Sequence, residues 1–167
     1  MNAKTDDGIQ FAALPFCFGT DGRLRVLLVT SRETKRWVIP KGWPMPGRKP
    51  HQVAAQEAFE EAGLRGRIVG KRPVGSYHYE KRIASAEGVL CEVSVFLLLV
   101  KRQLKAWPEK EERQTRWFEP SDAADLVDEG GLAEILRHAT TLVTKHRPKI
   151  RFRTGFVQRK NGLVSAS

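Results

Sequence analysis

The sequence predicts an α/β (α+β) fold in which a mixed β-sheet lies between helices. Short apolar stretches typical of strands recur along the chain up to Phe118, and one helical segment interrupts them after residue 50. Two further helical segments follow the last apolar stretch. The 167 residues, 41% hydrophobic and 29% charged, suit one domain with a sizeable core. We assign residues 1–147 to this domain and residues 148–167 to a basic C-terminal extension.

The apolar stretches before the first helix predict a hairpin and a short third strand. Residues 9–18 form the first strand, in which Pro15 indicates an edge position or a bulge. Turn residues at 19–22 connect it to a second strand at residues 24–30. Residues 37–39 then form a short strand that leads into the next loop.

The first helix is predicted to run from Pro50 to about Ala62. Proline suits the first turn of a helix, because its missing N–H would have no partner there. Gly63 follows, and a glycine in the left-handed conformation commonly ends a helix. Small residues give this helix a face for packing against a sheet: Val53, Ala54, Ala58 and Ala62.

The remaining strands are expected at residues 64–79, with interruptions, at residues 89–100 and at residues 114–118. The stretch at 89–100, VLCEVSVFLLLV, is the most apolar of the chain, which predicts the central strand. Trp117 and Phe118 should lie on opposite faces of the final strand, because strand side chains alternate.

Two helices are expected after the last of these strands. A short helix starts near residue 120 and ends at residue 128, and the glycine pair at 130–131 separates it from a longer helix at 132–145. The alternation at residues 150–153 is typical of a strand.

The formal net charge of +10 favours polyanionic partners. A polyphosphorylated small molecule is one candidate and nucleic acid is another, although the sequence has no aromatic–basic binding signature. The charge alone does not choose between them. No apolar stretch has the length of a membrane span and the N-terminus has no signal-peptide character, so we expect a cytoplasmic monomer or homodimer without membrane contact. Cys17 and Cys91 lie in apolar stretches and are expected to be buried free thiols.

Three glutamates on the first helix indicate a metal site. Glu57, Glu60 and Glu61 share one helix face, because positions three and four apart are neighbours there. Three carboxylates this close repel each other unless a cation lies among them, and hard oxygen ligands suit Mg²⁺ or Mn²⁺. Such an ion commonly binds the phosphate groups of a substrate. A solvated acidic helix face is the alternative that the residues alone leave open.

The loop and helix together, KGWPMPGRKPHQVAAQEAFEEAGL, resemble the Nudix box, G-x5-E-x7-R-E-U-x-E-E-x-G-U with U aliphatic. The matching positions are Gly42, Glu57, Ala58, Glu60, Glu61, Gly63 and Leu64. Arg48 replaces the early Glu of the box and Gln56 replaces its Arg. These two positions contact each other in the family and brace the loop against the helix. We expect a polar Arg48–Gln56 contact to do the same here.

The resemblance covers roughly residues 9–145 and implies the Nudix α/β/α sandwich. The segments LLVTSR, RWVIPKG and RWFEPSDAADL look most like the branch that cleaves diphosphoinositol polyphosphates and dinucleoside polyphosphates. The expected function is therefore that of a metal-dependent pyrophosphohydrolase that cleaves a diphosphate linkage.

The resemblance also implies roles for individual residues. Glu57 and Glu61 would bind Mg²⁺ or Mn²⁺, and Glu60 would be a further ligand or assist proton transfer. The backbone carbonyl of Lys41 would face the metal, and its side chain would reach a phosphate. Many family members use another glutamate in the loop before the last strand, and Glu112 is selected here over Glu109 and Glu111 because it lies nearest to that strand. Cations around the box are expected to hold the substrate phosphates: Arg32, Arg36, Lys41, Lys81 and Arg82.

Other interpretations remain. A nucleotide substrate would need an aromatic wall, for which Trp43 or Tyr77 is available, whereas an inositol substrate would need cations alone. The changes at Arg48 and Gln56 indicate, as an alternative, a catalytically impaired Nudix module that only binds polyphosphorylated ligands. The basic tail indicates an RNA 5′-pyrophosphohydrolase, which should bind RNA in a salt-dependent way.

Overall fold

The computed structural model describes residues 8–81, 88–146, 157–159 and 162–164. The strands, β1 to β10 in chain order, are Ile9–Gly19, Leu24–Thr30, Trp37–Val38, Lys41–Gly42, Leu64–Ile68, Gly75–Lys81, Val89–Gln103, Thr115–Phe118, Val157–Arg159 and Gly162–Val164. The helices, α1 to α4, are Pro50–Ala62, Pro120–Leu126, Gly130–Arg137 and Ala139–Lys145. No helix among the described residues is long and apolar enough to span a bilayer.

The longest strand, β7, lies at the centre of the sheet, as its apolar sequence predicts. It pairs in parallel with β1, from Ile9 opposite Glu92 to Phe16 opposite Leu99. Its other edge is shared by two antiparallel strands, β6 at its start and β5 at its end. The sheet is therefore mixed, and β5 and β6 pair with β7 alone.

The predicted hairpin is confirmed, since β1 and β2 pair antiparallel around the turn at residues 19–22. Beyond β2 lie β8 and the short β3, both antiparallel to it, while β4 pairs with the start of β1. From the predicted extension, β9 pairs in parallel with the end of β1, and β10 pairs with β9. The strand-like alternation at 150–153 lies outside the described residues, and the boundary near residue 147 stays a prediction.

Helices cover both faces of this sheet, which confirms the predicted layers. On one face, the alanines of α1 pack against strand residues such as Leu27 and Phe96. On the other face, α2, α3 and α4 enclose a second core that includes Leu14 and Leu97. Trp117 packs against the first core and Phe118 against the second, as alternation predicts. Both cysteines are buried and free, as expected.

The prediction of one long C-terminal helix at 132–145 is wrong, because two helices, α3 and α4, meet at His138. This residue has φ −93° and ψ 4°, and its N–H contacts the carbonyls of Glu134 and Ile135 at 3.2 Å each. The glycine pair belongs to α3 instead of separating two helices. A Cβ on Gly131 would lie 2.7 Å from the Cβ of Tyr77, so only glycine lets α3 approach β6 this closely.

Candidate active site

The loop–helix unit brings Gly42 of the loop against Glu57 of α1. Gln52 caps the start of the helix by accepting the Lys49 N–H at 2.8 Å. A Cβ on Gly42 would overlap the carboxyl group of Glu57, so the absence of a side chain there makes room for this glutamate. The Nudix-box position at Gly42 thus has a direct packing reason in this chain.

The glutamates of α1 are partly or fully withdrawn from water. Glu61 is 5% exposed, and burial raises the pKa of its carboxyl group. Burial, followed by the charges of Glu60 and Glu109, raises the pKa of Glu57 to about 7. Both shifts mean that the ionised carboxylates cost free energy in this site unless positive charge is added.

A loop between β7 and β8 adds an arginine and a fourth carboxylate to this cluster. Arg113 Nη2 lies 3.0 Å from Glu109 Oε1 and 3.4 Å from Glu61 Oε1. Arg113 also donates to the backbone carbonyl of Thr30 at 3.2 Å, and the Glu109 N–H donates to the carbonyl of Glu60 at 3.0 Å. Glu109 is therefore held to α1 by its backbone and to Arg113 by its side chain.

The C-terminus of α1 fixes the position of this loop. Gly63 adopts the predicted left-handed conformation, with φ +67°. The Trp107 ring packs so closely on Gly63 that a Cβ there would overlap it. The Leu104 N–H donates to the Gly63 carbonyl at 2.8 Å, and Gln103 Nε2 donates to the Ala62 carbonyl at 2.9 Å. Gly63 thus ends the helix and provides the surface on which the loop lies.

Glu112, the loop glutamate selected from the sequence, does not join this cluster. Its side chain is 50% exposed and lies 3.9 Å from Arg32, which also lies 3.7 Å from Glu109; among the described residues, Glu112 has no ion pair with Arg113. The structure brings Glu109, rather than Glu112, into contact with α1 and Arg113, because the loop returns to α1 at Glu109. The catalytic role of Glu112 stays a prediction. The sequence did contain a signal for the Glu109–Arg113 pair, since an acidic and a basic residue stand four positions apart.

The expected contact between the two altered box positions is present. Arg48 Nη1 donates to Gln56 Oε1 at 3.3 Å. The amide of Gln56 in turn donates to Glu60 Oε1 at 3.1 Å. The brace between loop and helix therefore persists with an Arg on the loop and an amide on the helix, and it ends on one of the three glutamates.

Lys41 lies in a polar cluster that sequence reasoning located only in part. Its Nζ is 5.0 Å from the centre of the Tyr79 ring, and the Tyr79 hydroxyl pairs with Gln10 Oε1 at 2.5 Å. Burial lowers the pKa of Lys41, while the charges of Glu61 and Glu129 raise it. Glu129 Oε2 is buried and has no hydrogen-bond partner in the described part of the chain. Glu129 was not identified from the sequence, because it stands far from the box.

The other predicted substrate cations are distributed around the cluster. Lys81 Nζ lies 4.9 Å from the centre of the Trp43 ring. Arg32 is 3.7 Å from Glu109, whereas Arg36 pairs with Asp128 at 3.1 Å. Arg82 lies outside the described residues.

The two aromatic residues considered as a stacking wall differ in accessibility. Tyr77 is 3% exposed and belongs to the core, so it is excluded as a wall. Trp43 is 40% exposed, and its ring is contacted by Lys81. An ammonium group therefore competes with a flat ligand for this ring.

The donors of the cluster fit a hard divalent cation by their chemistry. Glu57, Glu60 and Glu61 supply only carboxylate oxygens, and burial raises the pKa of two of them, so a cation would favour their ionised forms. Among the described residues, no three His, Cys, Asp or Glu side chains already form a group that could hold a metal ion. The glutamates would therefore have to converge on an ion as it binds.

Comparisons with known proteins identify relatives of this chain. Nudix hydrolase 16, mitochondrial, of Arabidopsis thaliana is 32% identical over 140 residues, which are 75% of this chain and 76% of that protein. Diphosphoinositol polyphosphate phosphohydrolase 3-alpha of Mus musculus is 29% identical over 72% of this chain and 71% of its own length. The chain spans 62%, 57% and 52% of the Arabidopsis Nudix hydrolases 13, 12 and 4.

Solved structures show the same fold. A C. elegans Ap4A hydrolase in a binary complex has a TM-score of 0.62 at 20% identity and covers 83% of this chain and 98% of that chain. A Nudix hydrolase of M. smegmatis, RenU, has a TM-score of 0.59 at 20% identity, over 83% of this chain and 87% of that chain. The family model of the NUDIX domain matches residues 9–139, which include the loop, α1 and the returning loop. This protein therefore belongs to the Nudix family.

Proposed function

We propose that this protein is a Mg²⁺- or Mn²⁺-dependent hydrolase that cleaves a diphosphate linkage in a polyphosphorylated small molecule. The observation that carries the proposal is the gathering of the three α1 glutamates with Glu109, beside Lys41 and Arg113. A bound ion would polarise the phosphate oxygens and lower the pKa of a bound water.

The residues of the chain have distinct roles in this proposal. Glu57 and Glu61 would hold the ion, and Glu60 would be a further ligand or assist proton transfer. The backbone carbonyl of Lys41 would be an additional ligand, following the family pattern. Glu109, in place of Glu112, accepts the proton of the attacking water, because its backbone bond to Glu60 keeps it at the cluster.

Arg113 holds Glu109 in position and balances part of the negative charge. Its guanidinium contacts Glu109 and Glu61 and is itself tied to the Thr30 carbonyl. The side chains of Lys41 and Lys81 hold phosphates of the substrate, with Arg32 at the mouth of the cluster. The roles of Arg36 and Arg82 as substrate contacts stay predictions.

Among the two substrate classes predicted, we favour diphosphoinositol polyphosphates over dinucleoside polyphosphates. The support is that the one exposed aromatic ring beside the box, among the described residues, is contacted by Lys81. A highly phosphorylated inositol needs such cations, whereas an adenine base needs the free ring. A mouse relative is named for the first class and a nematode structural neighbour for the second, so both enter the test. The cytoplasmic location and the monomeric or dimeric state stay predictions.

The deciding experiment measures product release from a panel of diphosphates with Mg²⁺ and with Mn²⁺. The panel contains a diphosphoinositol polyphosphate, a diadenosine polyphosphate, a nucleotide sugar, a nucleoside triphosphate and a 5′-triphosphorylated RNA. Glu61→Gln should lose turnover, whereas the matched change Glu134→Gln, at an exposed position of α3, should not. Turnover that survives Glu61→Gln would contradict the proposed metal role.

The altered box motivates a second candidate, a module that binds polyphosphorylated ligands without cleaving them. Binding of a panel member with no product after long incubation with either metal would establish it. The contact chain from Arg48 through Gln56 to Glu60 supports the enzyme instead, since it preserves the brace.

A further inference from the structure

The charged side chains on the part of the sheet edge that β5 forms, and on the paired half of β7, are all positive. The sequence contains no Asp or Glu between Glu61 and Glu80, and none between Glu92 and Glu109. These two stretches provide β5 and the second half of β7, which pair antiparallel. Besides Arg67, six exposed basic residues lie on them and on the adjoining loops. We call the surface formed by these six the basic edge: Arg65, Lys71, Arg72, Lys101, Arg102 and Lys105.

The positive charges of the basic edge are not balanced within the described part of the chain. None of the ion pairs found there involves any of the six residues. Arg65 and Arg102 are direct cross-strand partners, an arrangement of like charges that destabilises a sheet. The Arg65 guanidinium lies 4.0 Å from the centre of the Phe59 ring, which does not neutralise it.

Protection of an exposed strand edge explains only part of this pattern. Charged side chains on an edge strand such as β5 discourage pairing with another chain. That purpose accounts for Arg65, but it does not require Lys71, Arg72 or Lys105, which lie outside the strands. It also does not require the complete lack of acids over both stretches. A ligand with repeated negative charges accounts for all six.

We propose that the basic edge binds the phosphate backbone of single-stranded RNA. Arginine and lysine side chains spaced along a strand and its flanking loops can contact successive phosphates without reading bases. The surface would be distinct from the diphosphate-cleaving cluster, and it requires no catalysis.

Other polyanions fit the basic edge less well. A β-bulge between Arg65 and Gly66 interrupts the regular pairing of β5, which disfavours addition of an acidic peptide as a further strand. The large apolar residues that are exposed among those described, Ile9, Trp43, Leu90 and Leu126, lie off this edge, so it offers no anchor to a membrane. A sheet edge also provides no helix for the major groove of duplex DNA.

The test uses the full chain and fluorescence anisotropy with a labelled single-stranded 20-nucleotide RNA, in EDTA and over a range of salt. The edge variant carries Arg65→Gln, Lys101→Gln and Arg102→Gln. The control variant carries Arg23→Gln, Arg116→Gln and Arg137→Gln, which removes the same charge from exposed positions elsewhere. Thermal unfolding of each variant confirms that it folds.

The affinity of the wild type for RNA should fall steeply as the salt concentration rises. Each phosphate contacted should contribute about 0.7 to the slope of log affinity against log salt concentration. The edge variant should lose roughly tenfold or more in affinity and about two units of slope, and the control should lose far less. Absence of wild-type binding, or an equal loss in both variants, would overturn the proposal. Tighter binding to DNA of the same sequence, to anionic vesicles or to an acidic peptide would also overturn it. EDTA separates this result from the hydrolase proposal, which needs the metal.

Discussion

Gln56 donates a hydrogen bond to Glu60 at 3.1 Å while it accepts one from Arg48 at 3.3 Å. The amide thus connects the loop to a glutamate of the proposed metal site. An amide can do this in both directions because it carries a donor and an acceptor.

This relationship predicts the effect of charge changes at the two altered box positions. Arg48→Glu should lower turnover about tenfold. The new carboxylate would repel the Gln56 carbonyl oxygen, and Gln56 would lose the hydrogen bond that it accepts from Arg48. The double variant Arg48→Glu/Gln56→Arg should recover most of the activity, since the pair becomes an ion pair of reversed direction. Steady-state kinetics with saturating metal measures both. The charge-matched change Lys101→Glu, at an exposed position outside the loop–helix unit, should be neutral. Failure of the double variant to recover would contradict the brace.

The loop acid can be identified by comparing two conservative changes. Glu109→Gln should reduce kcat by about a hundredfold or more, because the amide cannot accept a proton. Glu112→Gln serves as the control and should keep nearly full activity, because its side chain is half exposed and its ion pair, among the described residues, is with Arg32 and not with Arg113. Rates of the two variants on the best substrate of the panel identify the loop acid. Thermal unfolding shows that Glu109→Gln stays folded. The reverse ranking would restore Glu112.

The contact of Trp107 with Gly63 predicts a large loss of stability on substitution. Gly63→Ala should cost about 1–2 kcal/mol for the left-handed backbone and about 1–3 kcal/mol more for the overlap with the ring. Gly22→Ala is the matched control, because Gly22 has φ +76° but nothing within 4 Å of its added Cβ. Gly22→Ala should therefore lower the free energy of unfolding only by the cost of the left-handed backbone. Urea unfolding gives both values, and equal losses would mean that Trp107 does not press on Gly63 in solution.

Metal binding should stabilise the folded protein. Because the ion binds the native glutamates, Mn²⁺ at a hundred times its Kd should add about 2.7 kcal/mol and raise the Tm. Glu57→Gln should remove most of that rise, whereas Glu134→Gln should leave it unchanged. Thermal unfolding with and without Mn²⁺ makes the comparison, and an unchanged rise in Glu57→Gln would exclude Glu57 as a ligand.

The Lys81–Trp43 contact predicts a difference between substrates. Lys81→Gln should raise the KM for a diphosphoinositol polyphosphate roughly tenfold, because a charge-assisted phosphate contact is lost. The KM for a diadenosine polyphosphate should change less or fall, since the ring of Trp43 becomes free for a base. Lys101→Gln provides the control for general charge loss. Equal effects on both substrates would remove the basis for preferring the inositol class.

Much of the fold was predictable because its signals are local. The hairpin follows from turn residues between two apolar stretches, and α1 follows from a proline at its start and a glycine after its end. The same is true of the glutamates, whose shared face is a property of helix geometry alone. The Arg48–Gln56 contact was expected from the resemblance to the Nudix box, in which these two positions contact each other.

The break at His138 shows where local reasoning ends. The apolar pattern continues through this residue, since Ala139 and Val143 belong to the same core as Leu132. Periodicity therefore predicted one helix, and only the packing of α3 and α4 around the end of the sheet divides it in two.

By itself, the sequence determined the β1–β2 hairpin, the start and end of α1 and the acidic face of α1, because each depends on residues close together in the chain. Tertiary structure alone decided that Glu109 and not Glu112 joins the glutamates, that Arg113 pairs with them, and that Glu129 approaches Lys41. The physical reason is that these contacts join segments far apart in sequence. Their geometry is set by how Trp107 packs on Gly63 and how α3 packs on β6.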